Sequence, residues 1–326
     1  MTVAITDANR HLDLISSVVD RIWPDATWTS ESLDDGMTNR NFKVTVTPVG
    51  QPDRVVVIQE QLPAAQAAEI GILRDNQMRI WPQMTAIGLA PELLRSFDDL
   101  GVTVVEFVSG TRLSDVTDRK LAIRLTAQTL RRLHDTTRGD ATPGLVSDPF
   151  DGMAWLAARI REQNPAMLEN FRWTLDLVDR IRSARGPYEA CQVHTDATHV
   201  NIILAPDGER VTLLDWEYVG AGDRYMDLGH FAARTELSAA EEEFLIQSYD
   251  PSGDNRRPLA VVRVYRFISM LREGLWSALA DGIDFLDEFD HAQYAHECLD
   301  NMATTTNSEE FIEALELLEH TVPATN

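Results

Sequence analysis

The sequence predicts an α+β chain of two lobes: a small antiparallel-sheet lobe at the N-terminus and a larger, mostly helical lobe after it. Three observations predict it. Short valine-rich stretches with turn residues between them cluster before residue 108. Beyond Ser109-Gly110, apolar residues recur at helical spacing in long runs. A single β-rich island, 202–215, interrupts those runs.

In chain order, residues 6–23 carry Leu12, Leu14, Ile15, Val18, Val19 and Ile22 at helical spacing, and Trp23-Pro24 ends the helix. Stretches 28–33 and 41–47 read as a hairpin around Asp34-Asp35-Gly36, and 54–59 as a third strand. Residues 64–87 are helical in pattern, with Pro82 expected to kink or divide the helix. Strands at 92–96 and 102–107 complete an N-terminal lobe of residues 1–108, with a hinge about 106–112. The C-terminal lobe, 113–326, is expected to hold helices over 116–136, 150–163, 166–185, 239–249, 257–281 and 285–302, with a loose tail after Val322.

The charge balance narrows the partners. With 52 acidic and 29 basic residues the chain carries a net charge of −23, which repels phosphate backbones and argues against nucleic acid. The acidity either attracts a cationic small molecule or serves solubility alone, and both readings stay open. No run approaches the roughly 20 apolar residues of a membrane helix, and residues 1–23 lack a basic segment followed by an apolar one. A cytoplasmic protein without a membrane partner is therefore expected. The two cysteines, Cys191 and Cys298, lie far apart and suggest ordinary buried thiols, not a disulfide or a zinc site.

The chemistry concentrates in one segment. His194-Thr195-Asp196 is followed by Asn201, an apolar strand, a turn at Pro206-Asp207-Gly208, and then Leu213-Leu214-Asp215-Trp216-Glu217. Phosphoryl transfer needs a carboxylate aimed at the attacking hydroxyl, the role open to Asp196. It also needs Mg2+ on the nucleotide phosphates, held by hard oxygen ligands such as those of Asn201 and Asp215. His194 fits a loop-bracing role better than a reactive one.

These residues carry a resemblance. The C-terminal half resembles the aminoglycoside phosphotransferase and choline kinase superfamily, a branch of the protein-kinase-like fold, and residues 214–229 resemble its choline/ethanolamine kinase subgroup. The resemblance implies Asp196 as base, Asn201 and Asp215 as metal ligands, Glu217 near metal and substrate, and Asp227 as a brace for the catalytic loop. Gly36-Met37-Thr38-Asn39-Arg40 resembles the phosphate-covering turn, whose backbone N–H groups cradle phosphate. The stretch 104–110 resembles the hinge, where the backbone of Glu106 and Val108 would pair with adenine. Residues 267–276 resemble the segment lining the acceptor pocket, where Trp276 and Glu273 would hold an ammonium group. Tyr265, Phe285, Phe289, Tyr294, Asp287 and Glu288 offer further aromatic faces and acids, while Arg263, Arg266 and Arg272 could instead receive an anionic group.

The pattern breaks at one point. Kinases of this class carry a third-strand Lys or Arg held by a Glu of the next helix. Here 55–61 has no basic residue, and the helix reads Arg74-Asp75-Asn76-Gln77. Gln59 or Gln61 stands in the cation's place and Gln77 in the acid's, two amides that can hydrogen-bond where a lone charge would be unpaired. Arg40, Lys43, Arg54 and Arg74 are the cations that could substitute. The expected activity is a magnesium- and ATP-dependent kinase acting on the hydroxyl of choline, ethanolamine or a related cationic amino alcohol. An antibiotic phosphotransferase and a catalytically impaired binding module are the alternatives. Neither a monomer nor a homodimer is excluded.

Overall fold

A computed structural model of the protein describes residues 2–33, 38–281, 283 and 289–321. The chain divides into two compact units, one of residues 1–63 and 91–108, the other of residues 64–90 and 109–326.

The first unit contains α1 (Thr2–Ile22), β1 (Thr27–Leu33), β2 (Arg40–Thr47), β3 (Arg54–Glu60), β4 (Leu93–Phe97) and β5 (Val102–Glu106). The strands form one antiparallel sheet in the order β1-β2-β3-β5-β4. Because side chains alternate faces along a strand, Phe42, Val44, Val46, Val56, Ile58, Val102 and Val104 share one buried layer. Ile15, Val18 and Val19 of α1, with Trp23 just beyond its end, close it.

The second unit begins with α2 (Ala64–Glu69) and α3 (Arg74–Ala86). Residues 64–90, expected in the N-terminal lobe, pack here instead. Ile80, Trp81 and Met84 of α3 are buried, the Asn76 amide donates to the Val219 carbonyl, and the Leu213 amide donates to the Leu89 carbonyl at 2.9 Å. The helical pattern of 64–87 divides at 70–73 and not at Pro82. Gly71 sits at φ +92°, a left-handed conformation open to glycine, whereas Pro82 costs one hydrogen bond inside a helix that its buried neighbours hold.

There follow β6 (Thr111–Arg112), α4 (Arg119–Thr136), α5 (Asp151–Gln163), α6 (Pro165–Asn170), α7 (Arg172–Arg185), β7 (Cys191–Val193), β8 (Ile202–Leu204), β9 (Val211–Leu213) and β10 (Gly220–Gly222). The helices α8 (Tyr225–Arg234), α9 (Ala239–Tyr249), α10 (Arg256–Ala280), α11 (His291–Thr306) and α12 (Glu309–His320) complete the unit. The helix expected over 166–185 breaks at the buried Phe171. Of the helix expected over 285–302, the described part begins at His291, where the Asp290 side chain accepts from the Gln293 amide; Phe285, Asp287 and Glu288 lie outside the described residues.

Two helices, α8 and α12, were not expected. α12 carries ordinary signals, a Ser308 cap and Phe311, Leu315 and Leu318 on one buried stripe. In α8 the polar residues Asp227 and His230, one turn apart, are buried along with the apolar ones. No helix among the described residues is long and apolar enough to cross a membrane. Cys191 and Cys298 are buried free thiols, and burial pushes both up to about 12, which leaves them inert.

Candidate active site

The β8–β9 hairpin gathers the site. Ile202 pairs with Leu213, and just beyond the pair the Leu214 amide donates to the Asn201 carbonyl at 2.8 Å. Asn201 and Asp215, distant in sequence, thus flank one end of a short antiparallel ladder. The tight turn at the other end closes with Gly208 donating to the Ala205 carbonyl at 2.9 Å.

The loop from His194 to Asn201 is held in a strained shape by Asp227 of α8. Thr195, β-branched, sits at φ +72°, a conformation that costs about 1–3 kcal/mol. Its amide donates to Asp227 Oδ1 at 2.8 Å, and the His194 amide donates to Oδ2 at 2.8 Å. Thr195 Oγ1 also donates to the Tyr218 carbonyl at 3.0 Å. His134 of α4 contacts the same carboxylate through Nε2 at 3.0 Å. Burial alone would raise the Asp227 carboxyl, but the hydrogen bond and charge of His134 hold it below the ordinary range. The His194 ring is fully buried, edge-on to Trp216 with centroids 4.6 Å apart, and burial keeps it neutral. The Asp196 amide donates to His194 Nδ1 at 3.3 Å, so His194 helps shape the loop.

Asp196 is half-buried and fixed from two sides. Asn201 Nδ2 donates to its Oδ2 at 2.7 Å, and His230 Nε2 lies 3.4 Å from Oδ1. Burial would raise its pKa, but the His230 bond and charge, with Arg272, keep the carboxyl below its usual value. His230 is braced in turn by Ser269 Oγ at 2.6 Å from Nδ1. Sequence reasoning missed His230 because it missed α8; it follows Asp227 by one helical turn and so shares its face.

Across the hairpin, Asp215 occupies φ +61°. Burial pushes its carboxyl well above the ordinary range, and the charges of Glu217 and Asp196 push the same way. Glu217 is buried and lies 3.8 Å from Arg74 Nη1. Asp215 therefore feels two other carboxylates with Arg74 as its opposing charge, an arrangement that an added cation would relieve. Asn201 commits its Nδ2 to Asp196, so its side-chain carbonyl is the atom it would offer to a metal. Among the described residues no three His, Cys, Asp or Glu side chains form a self-contained metal cage. Magnesium needs none, since it takes one or two protein oxygens and completes its shell with phosphate and water.

The remaining expected residues fall as follows. Gln59 Oε1 accepts from Thr103 Oγ1 at 3.1 Å, and Gln61 Nε2 donates to the same hydroxyl at 3.3 Å. Gln77 Oε1 accepts from Arg74 Nη1 at 3.1 Å. Gln59 and Gln61 are thus engaged with Thr103, and Gln77 with Arg74. Arg40 is exposed, its Nη1 3.0 Å from His11 Nε2; Lys43 donates to Glu31 at 2.6 Å and sits over the Phe107 ring. Thr38 is half-buried and Asn39 buried, while Gly36 lies outside the described residues. The Glu106 amide donates to the Glu92 carbonyl at 2.9 Å, and Val108 is half-buried. Trp276 Nε1 donates to the Ile70 carbonyl at 3.2 Å, with its ring edge-on to His291. Glu273 accepts from Arg272 at 2.7 Å, so its charge is already matched. Arg272 stacks its guanidinium 5.9 Å from the centre of the Tyr218 ring.

Comparison with known proteins agrees with this geometry. The chain is 22% identical over 295 residues to a probable choline kinase 2 of Arabidopsis thaliana, covering 81% of this chain and 82% of that protein. A choline/ethanolamine kinase family protein from Mesorhizobium loti superposes with a TM-score of 0.71 at 20% identity, over 90% of this chain and 93% of that one. The choline kinase LicA from Streptococcus pneumoniae gives 0.70 at 20% identity, over 90% and 99%, and has also been solved in complex with AMP. The fold is protein-kinase-like, and with residues 29–261 matching the phosphotransferase enzyme family APH, the chain belongs to that family.

Proposed function

We propose that the protein transfers the γ-phosphoryl group of ATP to the hydroxyl of a small amino alcohol of the choline or ethanolamine class. The observation that supports this most is the pairing of Asn201 with Asp196 at 2.7 Å, beside Asp215 on the same hairpin end. One carboxylate is kept ionised and oriented, while at the second burial and two neighbouring acids outweigh the charge of Arg74. The names of the relatives, choline and choline/ethanolamine kinases, support the acceptor class.

In this reading Asp196 receives the acceptor's hydroxyl proton and aims its oxygen for in-line attack. Asn201 and His230 hold the carboxylate in orientation, and Asp227 holds the loop that carries it. Asn201 and Asp215 would hold magnesium, which when bound neutralises charge on the nucleotide phosphates. The backbone around Thr38, Asn39 and Arg40 would cover the phosphates, and the Glu106 and Val108 backbone would read adenine. Glu217 would keep the metal ligands in place, and the half-exposed Trp276 would face an ammonium group. A cytoplasmic setting, with its ATP and magnesium, belongs to the same proposal.

One observation favours a second acceptor class. Arg272 and Arg234 both lie close enough to Asp196 for their charges to act on it. Glu273, the acid expected to hold an ammonium, is matched to Arg272. An acceptor with a neutral or anionic group beside its hydroxyl would suit those guanidiniums. Purified protein, magnesium and ATP or GTP, incubated with amino alcohols, hydroxy acids, aminosugars and aminoglycosides and read by mass, decides between them. A phosphorylated product that Asp196→Asn abolishes establishes the kinase and its acceptor. No product from any acceptor, together with no nucleotide binding, overturns the reading.

A further inference from the structure

The third strand of this chain lacks the cation that grips nucleotide phosphates in kinases of this class. Of the cations that the sequence offers in its place, Arg40 and Arg54 are exposed and Lys43 is tied to Glu31. Arg74, the first residue of α3, differs from all of them. Its side chain is only 15% exposed and its Nη1 lies 3.8 Å from the carboxylate of Glu217, itself 3% exposed. The same Nη1 donates to Gln77 Oε1 at 3.1 Å, and Gln77 is buried at 2% in the helix position where the acid was expected. The charge of Arg74 also acts on Asp215.

We infer that Arg74 is the phosphate-gripping cation of this enzyme, transferred from the third strand to the start of the following helix. This rests on the nucleotide reading above. The chemistry explains both changes together. An arginine carries a planar fork of donors, so it can be held by Gln77 and Glu217 and still present N–H groups to an oxyanion. With Glu217 already supplying an anion, a glutamate at 77 would add a further negative charge to a cluster that holds Asp196, Asp215 and Glu217. A neutral amide positions the guanidinium without that penalty. Burial favours arginine over lysine here, because a guanidinium keeps its charge where an ammonium would shed its proton.

The test is calorimetric binding of ATP, ADP and adenosine to the full chain with magnesium, for the native protein and for Arg74→Gln, with folding checked by thermal melting. Arg74→Gln is expected to weaken ATP and ADP about 10- to 100-fold, the range of one hydrogen bond to a charged group, and to leave adenosine within about twofold. If Arg74→Gln does not fold, Arg74→Lys and Gln77→Ala carry the test, each expected to weaken ATP and not adenosine. Equal losses for ATP and adenosine, or ATP affinity unchanged in a folded variant, overturn the inference and leave Arg74 as a counter-ion of Glu217. A native protein that binds neither ATP nor GTP overturns the nucleotide reading and this inference with it.

Discussion

Asn201 donates from Nδ2 to Asp196 Oδ2 at 2.7 Å, so the residue proposed to hold the metal also fixes the carboxylate proposed as the base. Asp196→Asn is expected to lower kcat about 10²- to 10⁴-fold with nucleotide affinity little changed, the usual span for loss of a general base. Asn201→Ala should lower kcat and also weaken magnesium-dependent nucleotide binding, because it removes both contacts. Steady-state kinetics and calorimetry separate the two. A loss confined to kcat in Asn201→Ala would deny the metal role.

Asp227 is a structural keystone. Its two oxygens take the His194 and Thr195 amides and meet His134, all fully buried. Asp227→Ala strands a strained loop and a buried imidazole, and should cost about 3–5 kcal/mol in urea unfolding. Asp227→Asn, which keeps one acceptor, should cost less and retain the fold.

Metal binding should couple to protons at Asp215. Its carboxyl lies well above the ordinary range when folded, so the folded chain keeps a proton that the unfolded chain releases. Without magnesium, stability should therefore decline as pH rises from about 4 through the raised value, and Asp215→Asn should flatten that slope. Magnesium binding should expel a proton, seen as a heat that depends on the buffer's ionisation enthalpy. Heats identical in all buffers would refute the coupling.

Glu241 behaves in the opposite sense. Its pKa is held at about 2, first by a hydrogen bond from Arg119, with Nε at 2.6 Å and Nη2 at 3.1 Å, and by the Ser238 cap of α9. The stabilisation is present above the unfolded value near 4.3 and is lost as pH falls toward 2. The pair is partly exposed, so Glu241→Gln should cost only about 1 kcal/mol at pH 7, cap included, and less below pH 3.

Gly220 tests the packing behind the loop. A Cβ there would lie 2.4 Å from the Gly144 amide nitrogen, a backbone atom that cannot swing aside. Gly220→Ala should lower stability by about 1–3 kcal/mol through a shift of β10 against β7. A thermal midpoint equal to the native one would count against this account.

The sequence by itself determined the strands of the sheet and the loop and hairpin that carry Asp196, Asn201 and Asp215. Alternation puts Phe42, Val44 and Val46 on one face whatever lies beyond. The intervals from Asp196 to Asn201 and on to Asp215 specify a loop and a hairpin, because ladder geometry is local. Only the tertiary structure decided which buried charges meet. The same helical pattern that made 64–87 one element hid its break at Gly71. It gave no sign that Arg74 would reach Glu217, or that His230 would turn toward Asp196. Backbone periodicity is set by neighbours in the chain. The partner of a buried charge is set by desolvation, which takes whichever opposite group the packed core brings within reach.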